Sequence, residues 1–371
     1  MLFAPLQSGA FIMDHKMYMQ QAITLAKLGQ GAVHPNPLVG AVIVKDDRII
    51  GQGYHQMYGG PHAEIMALRE ATEDVTGATM YVTLEPCSHH GKTPPCVGAI
   101  IDSGIAEVFI AMQDPNPMVY GKGILALKEA GIRVQTGILK KQAKELNERF
   151  IHFINTKRPF VIVKSAISAN QKITSVSGPW VTSEASRTRV HELRAATKAV
   201  MVSVATVLAD DPMLNVRHVQ SETQPIRIVL DSLGRTPLSA KVVQTANEIP
   251  TYIYVKQGVD AGWKDAVEAL GVVVYDIETS EERLPLSSVF AHMGQQLIDE
   301  VLIEPGARLL QTLLSEKWVN RWIVFQSPTI EPEDQISLLP FVYDIGKHFT
   351  LVQKESFGSD TCTTYIPKEA E

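Results

Sequence analysis

Between residues 61 and 96 the chain carries Pro61-His62-Ala63-Glu64, then Pro86-Cys87, then Cys96. One imidazole and two thiolates make a zinc ligand set that keeps a fourth position for water. Zinc so held lowers the pKa of its water from about 15.7 to about 7, which makes hydroxide available at neutral pH. Glu64, two residues beyond the histidine, suits the general acid/base role that the glutamate of zinc deaminases has without being a ligand. The competing reading is a structural zinc site, but such a site closes with four protein ligands, and only three stand out. Two of the chain's three cysteines fall in this stretch. A sparse, odd count argues against a disulfide framework and for a reducing compartment. The third, Cys362, reads as a free thiol in the polar tail Gly358-Ser359-Asp360-Thr361-Cys362-Thr363.

Nucleoside and nucleic-acid deaminases carry Cys-x-x-Cys, whereas eight residues separate Cys87 from Cys96 here. That insert, Ser88-His89-His90-Gly91-Lys92-Thr93-Pro94-Pro95, puts two imidazoles, an ammonium and a hydroxyl in a Gly/Pro-shaped loop, which suits a phosphate. A solvated loop is the alternative. In His34-Pro35-Asn36-Pro37-Leu38-Val39-Gly40, the Asn36 amide has the donor and acceptor edges to read a heterocycle, or it is a plain turn residue. Gly121-Lys122-Gly123-Ile124-Leu125-Ala126 fits the dinucleotide pattern GxGxxA. It follows the turn-rich Asp114-Pro115-Asn116-Pro117 instead of a strand, so it reads as a helix start.

Short apolar strands alternating with amphipathic helices must position these groups, which indicates α/β layered sheets. The first half predicts a helix over Lys16 to Leu28 and strands over Gly40 to Lys45, Arg48 to Tyr54, Met80 to Leu84, Glu107 to Met112 and Ile132 to Val134. Helices are expected from Pro61, Val97 and Ile124. The metal segments sit where a strand hands over to a helix, and the helix dipole there lowers a thiol's pKa toward the thiolate. A single basic helix, Leu139 to Ile154, and the breaker Lys157-Arg158-Pro159 lead to a second series of strands. These begin with Phe160 to Lys164 and end with Arg321 to Gln326. Residues 1–13 read as a disordered extension, 14–155 as one domain and 156–371 as another.

At 371 residues, 45% hydrophobic, the chain is too long for one average core. Its net charge of -6 argues against duplex nucleic acid as the main ligand and for small ones. No apolar run approaches the roughly 18 residues of a membrane helix. Met1 to Phe11 lacks the basic leader and cleavage site of a signal peptide, so the cytoplasm is the expected address. A homo-oligomer with no nucleic-acid or membrane partner is the expectation.

Three motifs carry a resemblance along nearly the whole chain. Asn36-Pro37-x-Val39-Gly40, His62-Ala63-Glu64, and the run from Thr83 to Cys96 resemble the riboflavin-biosynthesis family of bifunctional pyrimidine deaminase/reductases. The resemblance implies a cytidine-deaminase-like three-layer α/β/α domain, with zinc on His62, Cys87 and Cys96 and Glu64 as proton shuttle. It also implies that Asn36, His89, Lys92 and Thr93 bind a phosphoribosylaminopyrimidine. The second half, with Leu193-Arg194-Ala195 and the run from Ala205 to Arg217, is similar to the family's NADPH-dependent, dihydrofolate-reductase-like α/β domain. Ala166, Trp180, Thr206, Asp210, Ser232 and Gly306 thereby fall at cofactor positions, and Arg194, Leu214, Arg217 and Glu304 at substrate positions. Three segments depart from the pattern. Ser168-Ala169-Asn170-Gln171 replaces Ser-Leu-Asp-Gly, and Pro305-Gly306-Ala307-Arg308 replaces Gly-Gly-Pro-Thr, while the Ser-x-Trp segment shortens to Gly178-Pro179-Trp180. The readings left open are a full bifunctional enzyme, a deaminase with a weakened or inactive reductase, and a nucleoside or tRNA deaminase.

Overall fold

Two sheets form, one in each of two compact units, Met1–Lys157 and Arg158–Glu371. The computed structural model describes residues 8–88, 95–117, 119–176, 180–338 and 345–368. His89, Lys92 and Thr93 of the expected phosphate loop lie outside the described residues, as do Gly178 and Pro179.

The first sheet comprises β1 (Gly40–Lys45), β2 (Arg48–Tyr54), β3 (Thr79–Leu84), β4 (Glu107–Met112) and β5 (Arg133–Thr136), in the order β2-β1-β3-β4-β5. The pairs β3–β4 and β4–β5 are parallel, while β1 runs antiparallel to both neighbours. Helices α1 (Ser8–Ala26), α2 (Ala63–Arg69), α3 (Cys96–Asp102), α4 (Lys122–Glu129), α5 (Lys140–Leu146) and α6 (Glu148–Thr156) accompany it. A Cβ on Gly40 would meet the α1 backbone at Ala22, and one on Gly53 would meet α2 at Ala67. Gly53 pairs with Ala41, the residue after Gly40. Successive strand residues face opposite ways, so α1 and α2 cover opposite faces. Burial on both faces explains the unbroken apolar run Ala41-Val42-Ile43-Val44.

The first helix starts at Ser8, eight residues before the expected Lys16. The single helix read over Leu139 to Ile154 is two, α5 and α6, broken at Asn147. Asn147 is buried and leaves the helical conformation because its side chain pairs with both backbone groups of Leu38. Leu38 N–H donates to Oδ1 at 2.8 Å, and Nδ2 donates to the Leu38 carbonyl at 2.9 Å.

The second sheet has nine strands: β6 (Phe160–Ile167), β7 (Ala199–Ser203), β8 (Ile226–Leu230), β9 (Thr251–Lys256), β10 (Val273–Ile277), β11 (Glu300–Ile303), β12 (Arg321–Gln326), β13 (Phe349–Phe357) and β14 (Asp360–Pro367). Their order is β10-β9-β8-β7-β11-β6-β12-β14-β13, parallel except for β13 and β14. The alternate residues Val161 and Val163 enter one apolar cluster, Phe160 and Ile162 another, so both faces are covered. Around the sheet lie α7 (Glu184–Ala196), α8 (Val204–Asp210), α9 (Lys241–Gln244), α10 (Ala261–Ala269), α11 (Leu286–Gln295) and α12 (Ala307–Ser315). The polar tail expected around Cys362 is in fact the β13–β14 hairpin. Cys362 is buried opposite Phe325 of β12. Threonines fill the pleat around it, and their β-branched stems favour a strand despite the hydroxyls. Among the described residues no helix is long and apolar enough to cross a membrane.

Candidate active sites

Each metal-type ligand stands at a junction. His62 is the residue before α2, Cys87 follows β3 through Pro86, and Cys96 opens α3. Their ligand atoms all lie within 4.8 Å of one another. His62 Nδ1 is 3.1 Å from Cys96 Sγ and 3.5 Å from Cys87 Sγ. A tetrahedral ion with bonds of about 2.3 Å to sulfur and about 2.0 Å to nitrogen needs such separations. One nitrogen and two sulfurs also fit zinc chemically.

The electrostatics suit that charge. The Cys87 thiol is pulled down to about 4, first by the hydrogen bond from Cys96 and then by His62. Cys96 is pushed up as the partner that keeps the shared proton. Glu64, the second residue of α2, is buried and points into the same space; burial first, then the Cys87 charge, raises it to about 7.

His62, Cys87 and Glu64 line a cleft of about 320 Å³ that also includes Asn36, His55, Asp114 and Asn116, while Cys96 is buried beside it. His55 is buried, and burial lowers its pKa, so the imidazole is neutral. Its Nδ1 faces the Pro61 carbonyl at 3.0 Å and therefore carries the proton. Nε2 is left as acceptor for the Asn36 amide, 3.0 Å away. Asn36 is thereby oriented, with its carbonyl oxygen free of that bond. Reading the sequence missed His55, Asp114 and Asn116. The only trace they leave is a polar residue just past the end of β2 or β4.

In the second unit a cleft of about 770 Å³ gathers Ala166, Trp180, Thr206, Asp210, Arg194, Leu214, Arg217 and Glu304. Of the expected positions, Ser232 and Gly306 are not in its lining. Ser232 sits in the turn after β8, and Gly306 precedes α12 with open space where a side chain would project. Glu304, just past β11, accepts from Arg194 Nε at 2.7 Å and lies 3.7 Å from Lys164 Nζ. Arg217 Nη1 donates to the Asn215 side chain and Arg194 Nη1 to the Asn215 carbonyl, so one asparagine spaces the two guanidiniums. The loop around Arg217 is strained: Asp211, Leu214 and His218 all have positive φ, a conformation that non-glycine residues keep only where surroundings enforce it. Lys164 is the residue that sequence reading missed here. Its signal is a lysine at the end of the apolar run Phe160-Val161-Ile162-Val163.

The departures acquire a structural account. Asn170 pairs with the Glu331 backbone, donating to its carbonyl at 2.7 Å and accepting from its N–H at 3.0 Å. Gln171 takes the left-handed conformation, φ 63°, at the position where the family pattern has glycine. Arg308 is exposed in the first turn of α12.

Burial alone would raise the Glu304 carboxyl, but the Arg194 and Lys164 charges outweigh it and hold it at about 2, down from 4.5. A carboxyl depressed by folding contributes stability that is complete above its unfolded pKa and is lost as pH falls through the folded one. The second unit is therefore expected to hold its melting temperature down to about pH 4.5 and to lose stability between there and pH 2. Glu304→Gln should flatten that part of the calorimetric profile.

Residues 159–363 match the RibD C-terminal domain, and residues 12–112 match the cytidine and deoxycytidylate deaminase zinc-binding region. The riboflavin biosynthesis protein RibD of Bacillus amyloliquefaciens is 45% identical over 363 residues, covering 95% of this chain and 96% of the relative. That of Escherichia coli is 39% identical over 368 residues, 94% of this chain and 98% of its own. Among solved structures, Acinetobacter baumannii RibD superposes with a TM-score of 0.87 at 37% identity, covering 96% of this chain and all of that one. A diaminohydroxyphosphoribosylaminopyrimidine deaminase/5-amino-6-(5-phosphoribosylamino)uracil reductase from Thermotoga maritima superposes with a TM-score of 0.85 at 35% identity, with the same coverage. With both halves matched along nearly its full length, the chain belongs to the RibD family, the bifunctional enzymes of riboflavin biosynthesis that join a zinc-binding deaminase to a reductase of the NADPH-dependent type.

Proposed function

We propose that the two units act in turn on one phosphorylated intermediate. The first hydrolytically deaminates 2,5-diamino-6-(5-phosphoribosylamino)pyrimidin-4(3H)-one to 5-amino-6-(5-phosphoribosylamino)uracil. The second reduces the ribosyl group of that product to a ribityl group with NADPH. The observation that carries the reading is the convergence of His62, Cys87 and Cys96 beside the buried Glu64 in a cleft of small-molecule size.

His62, Cys87 and Cys96 hold the zinc in this reading. Zinc, when bound there, supplies Lewis-acid activation of water. Glu64 takes the proton released as water adds to the amine-bearing ring carbon and returns it to the leaving nitrogen, so that ammonia departs. Asn36, fixed by His55, reads the pyrimidine edge, and His89, Lys92 and Thr93 receive the phosphate. In the second unit Arg194 and Arg217 clamp the sugar phosphate as forks, with Leu214 and Glu304 completing the substrate side. Ala166, Trp180, Thr206, Asp210, Ser232 and Gly306 take the cofactor.

The test is one coupled assay, with the aminopyrimidine phosphate as sole substrate, following ammonia and NADPH together. Ammonia release followed by equimolar NADPH oxidation is expected; ammonia without oxidation would overturn the second half. Arg217→Ala should lower kcat/KM for NADPH oxidation by roughly 10- to 100-fold, the worth of a charged hydrogen bond, and leave ammonia release unchanged. A cytoplasmic, homo-oligomeric enzyme completes the proposal. The long edge strand β13, with Leu351 and Val352 exposed, supports self-association, and light scattering on the zinc-loaded protein tests it.

A further inference from the structure

Glu85 follows β3, precedes Pro86-Cys87 and belongs to the lining of the same cleft. Its carboxylate is buried and accepts four backbone N–H groups. Oε2 takes those of Asp114 at 3.2 Å and Gly121 at 3.0 Å; Oε1 takes those of Gly123 at 3.0 Å and Ile124 at 3.3 Å. The glycine pattern that mimics a dinucleotide fingerprint thus binds an anion, but the anion is the chain's own side chain. Gly121 has φ 74°, and a Cβ on Gly123 would lie 2.1 Å from the Pro86 carbonyl oxygen. Both glycines are therefore required for α4 to present its first amides, with the positive end of its dipole, to the carboxylate.

The arrangement has a direction. Asp114 and Gly121 are the two ends of the loop from β4 to α4, and one oxygen ties both. Between them the Asn116 carbonyl accepts from Val119 and Tyr120, and Asp114 Oδ1 accepts from Asn116 N–H. These bonds tie Asp114, Asn116 and Val119 together, and all three line the cleft. The residue that tethers this turn is two positions before Cys87.

We propose that Glu85 is a positioning residue for deamination: it locks the wall of the cleft formed by Asp114, Asn116 and Val119 to the metal-holding segment, and so sets the distance between a bound pyrimidine and the reacting centre. The inference rests on the cleft being the deaminase site. Absence of ammonia release in the wild-type enzyme would sink that reading, whereas the tests below use an enzyme that does release ammonia.

Glu85→Gln keeps the shape of the side chain but turns an NH2 group onto two of the four N–H donors. In the zinc-loaded full chain, the deaminase KM is expected to rise about tenfold or more, with kcat within about threefold, as for lost uniform binding. Zinc should stay at one per chain and the reductase constants should not change. Gly121→Ala, which disfavours the left-handed backbone in open space, should raise KM about threefold in the same direction. Combined with Asn116→Ala, Glu85→Gln should be clearly non-additive, because both act through one turn. An unchanged KM in Glu85→Gln, or an additive cycle, overturns the proposal, as does a fall in kcat and zinc content at constant KM. If Glu85→Gln does not fold, the KM of Gly121→Ala decides by the same criterion.

Discussion

Glu64→Gln protein is expected to bind zinc at the wild-type stoichiometry and to release ammonia about 10³-fold more slowly, within the usual range for loss of a general acid/base. The substitution conserves volume at a buried position, and the three ligand atoms converge without Glu64, so metal retention and activity separate. Ammonia release and metal content on the same sample check both. Near-normal turnover would remove Glu64 from the chemistry. Metal loss at the same time would show that the carboxylate holds the site together instead of moving protons in it.

The second large effect concerns stability. Arg227 on β8 is wholly buried, and burial pulls its guanidinium down to about 10, so it remains charged at neutral pH. The charge is distributed over carbonyl and hydroxyl acceptors. Nε donates to Thr251 Oγ1, Nη1 to Thr245 Oγ1 and the Met213 carbonyl, and Nη2 to the carbonyls of Val242, Thr245 and Ile249. These acceptors fasten the segment around α9 to the sheet. Arg227→Leu fills much of the space but removes six hydrogen bonds from one buried cluster, at a cost of about 3–5 kcal/mol. For a domain of this size that corresponds to a fall of about 10 °C in the melting temperature of the second unit. Arg227→Lys should rescue little, since an ammonium has three donors where the planar fork has five. A variant melting within a degree of wild type would show that the network contributes nothing net.

How much of this was legible beforehand depends on how far apart the cooperating groups lie. The strands Gly40–Lys45, Glu107–Met112 and Arg321–Gln326 appear with the bounds expected from their apolar runs, because burial on both faces writes itself into consecutive residues. The β13–β14 hairpin was hidden because threonines carry its alternation. Asn147 looked like one more polar residue of a helix; its role exists only where Leu38 presents unpaired backbone groups.

The amino-acid sequence by itself determined the chemistry: two thiols, an imidazole and a carboxylate within a short stretch at strand-to-helix junctions have few other uses. Chain connectivity keeps such groups close, so their spacing is informative. What only the tertiary structure decided is the company they keep. His55 orients Asn36, Lys164 joins Arg194 at Glu304, and Glu85 reaches a glycine pattern 36 residues away. Those partners meet because sheet packing brings distant segments together, and a buried polar group must then find its hydrogen bonds in whichever segment arrives. Nothing in the local sequence of Gly121-Lys122-Gly123 distinguishes a cradle for a ligand's phosphate from one for the protein's own glutamate.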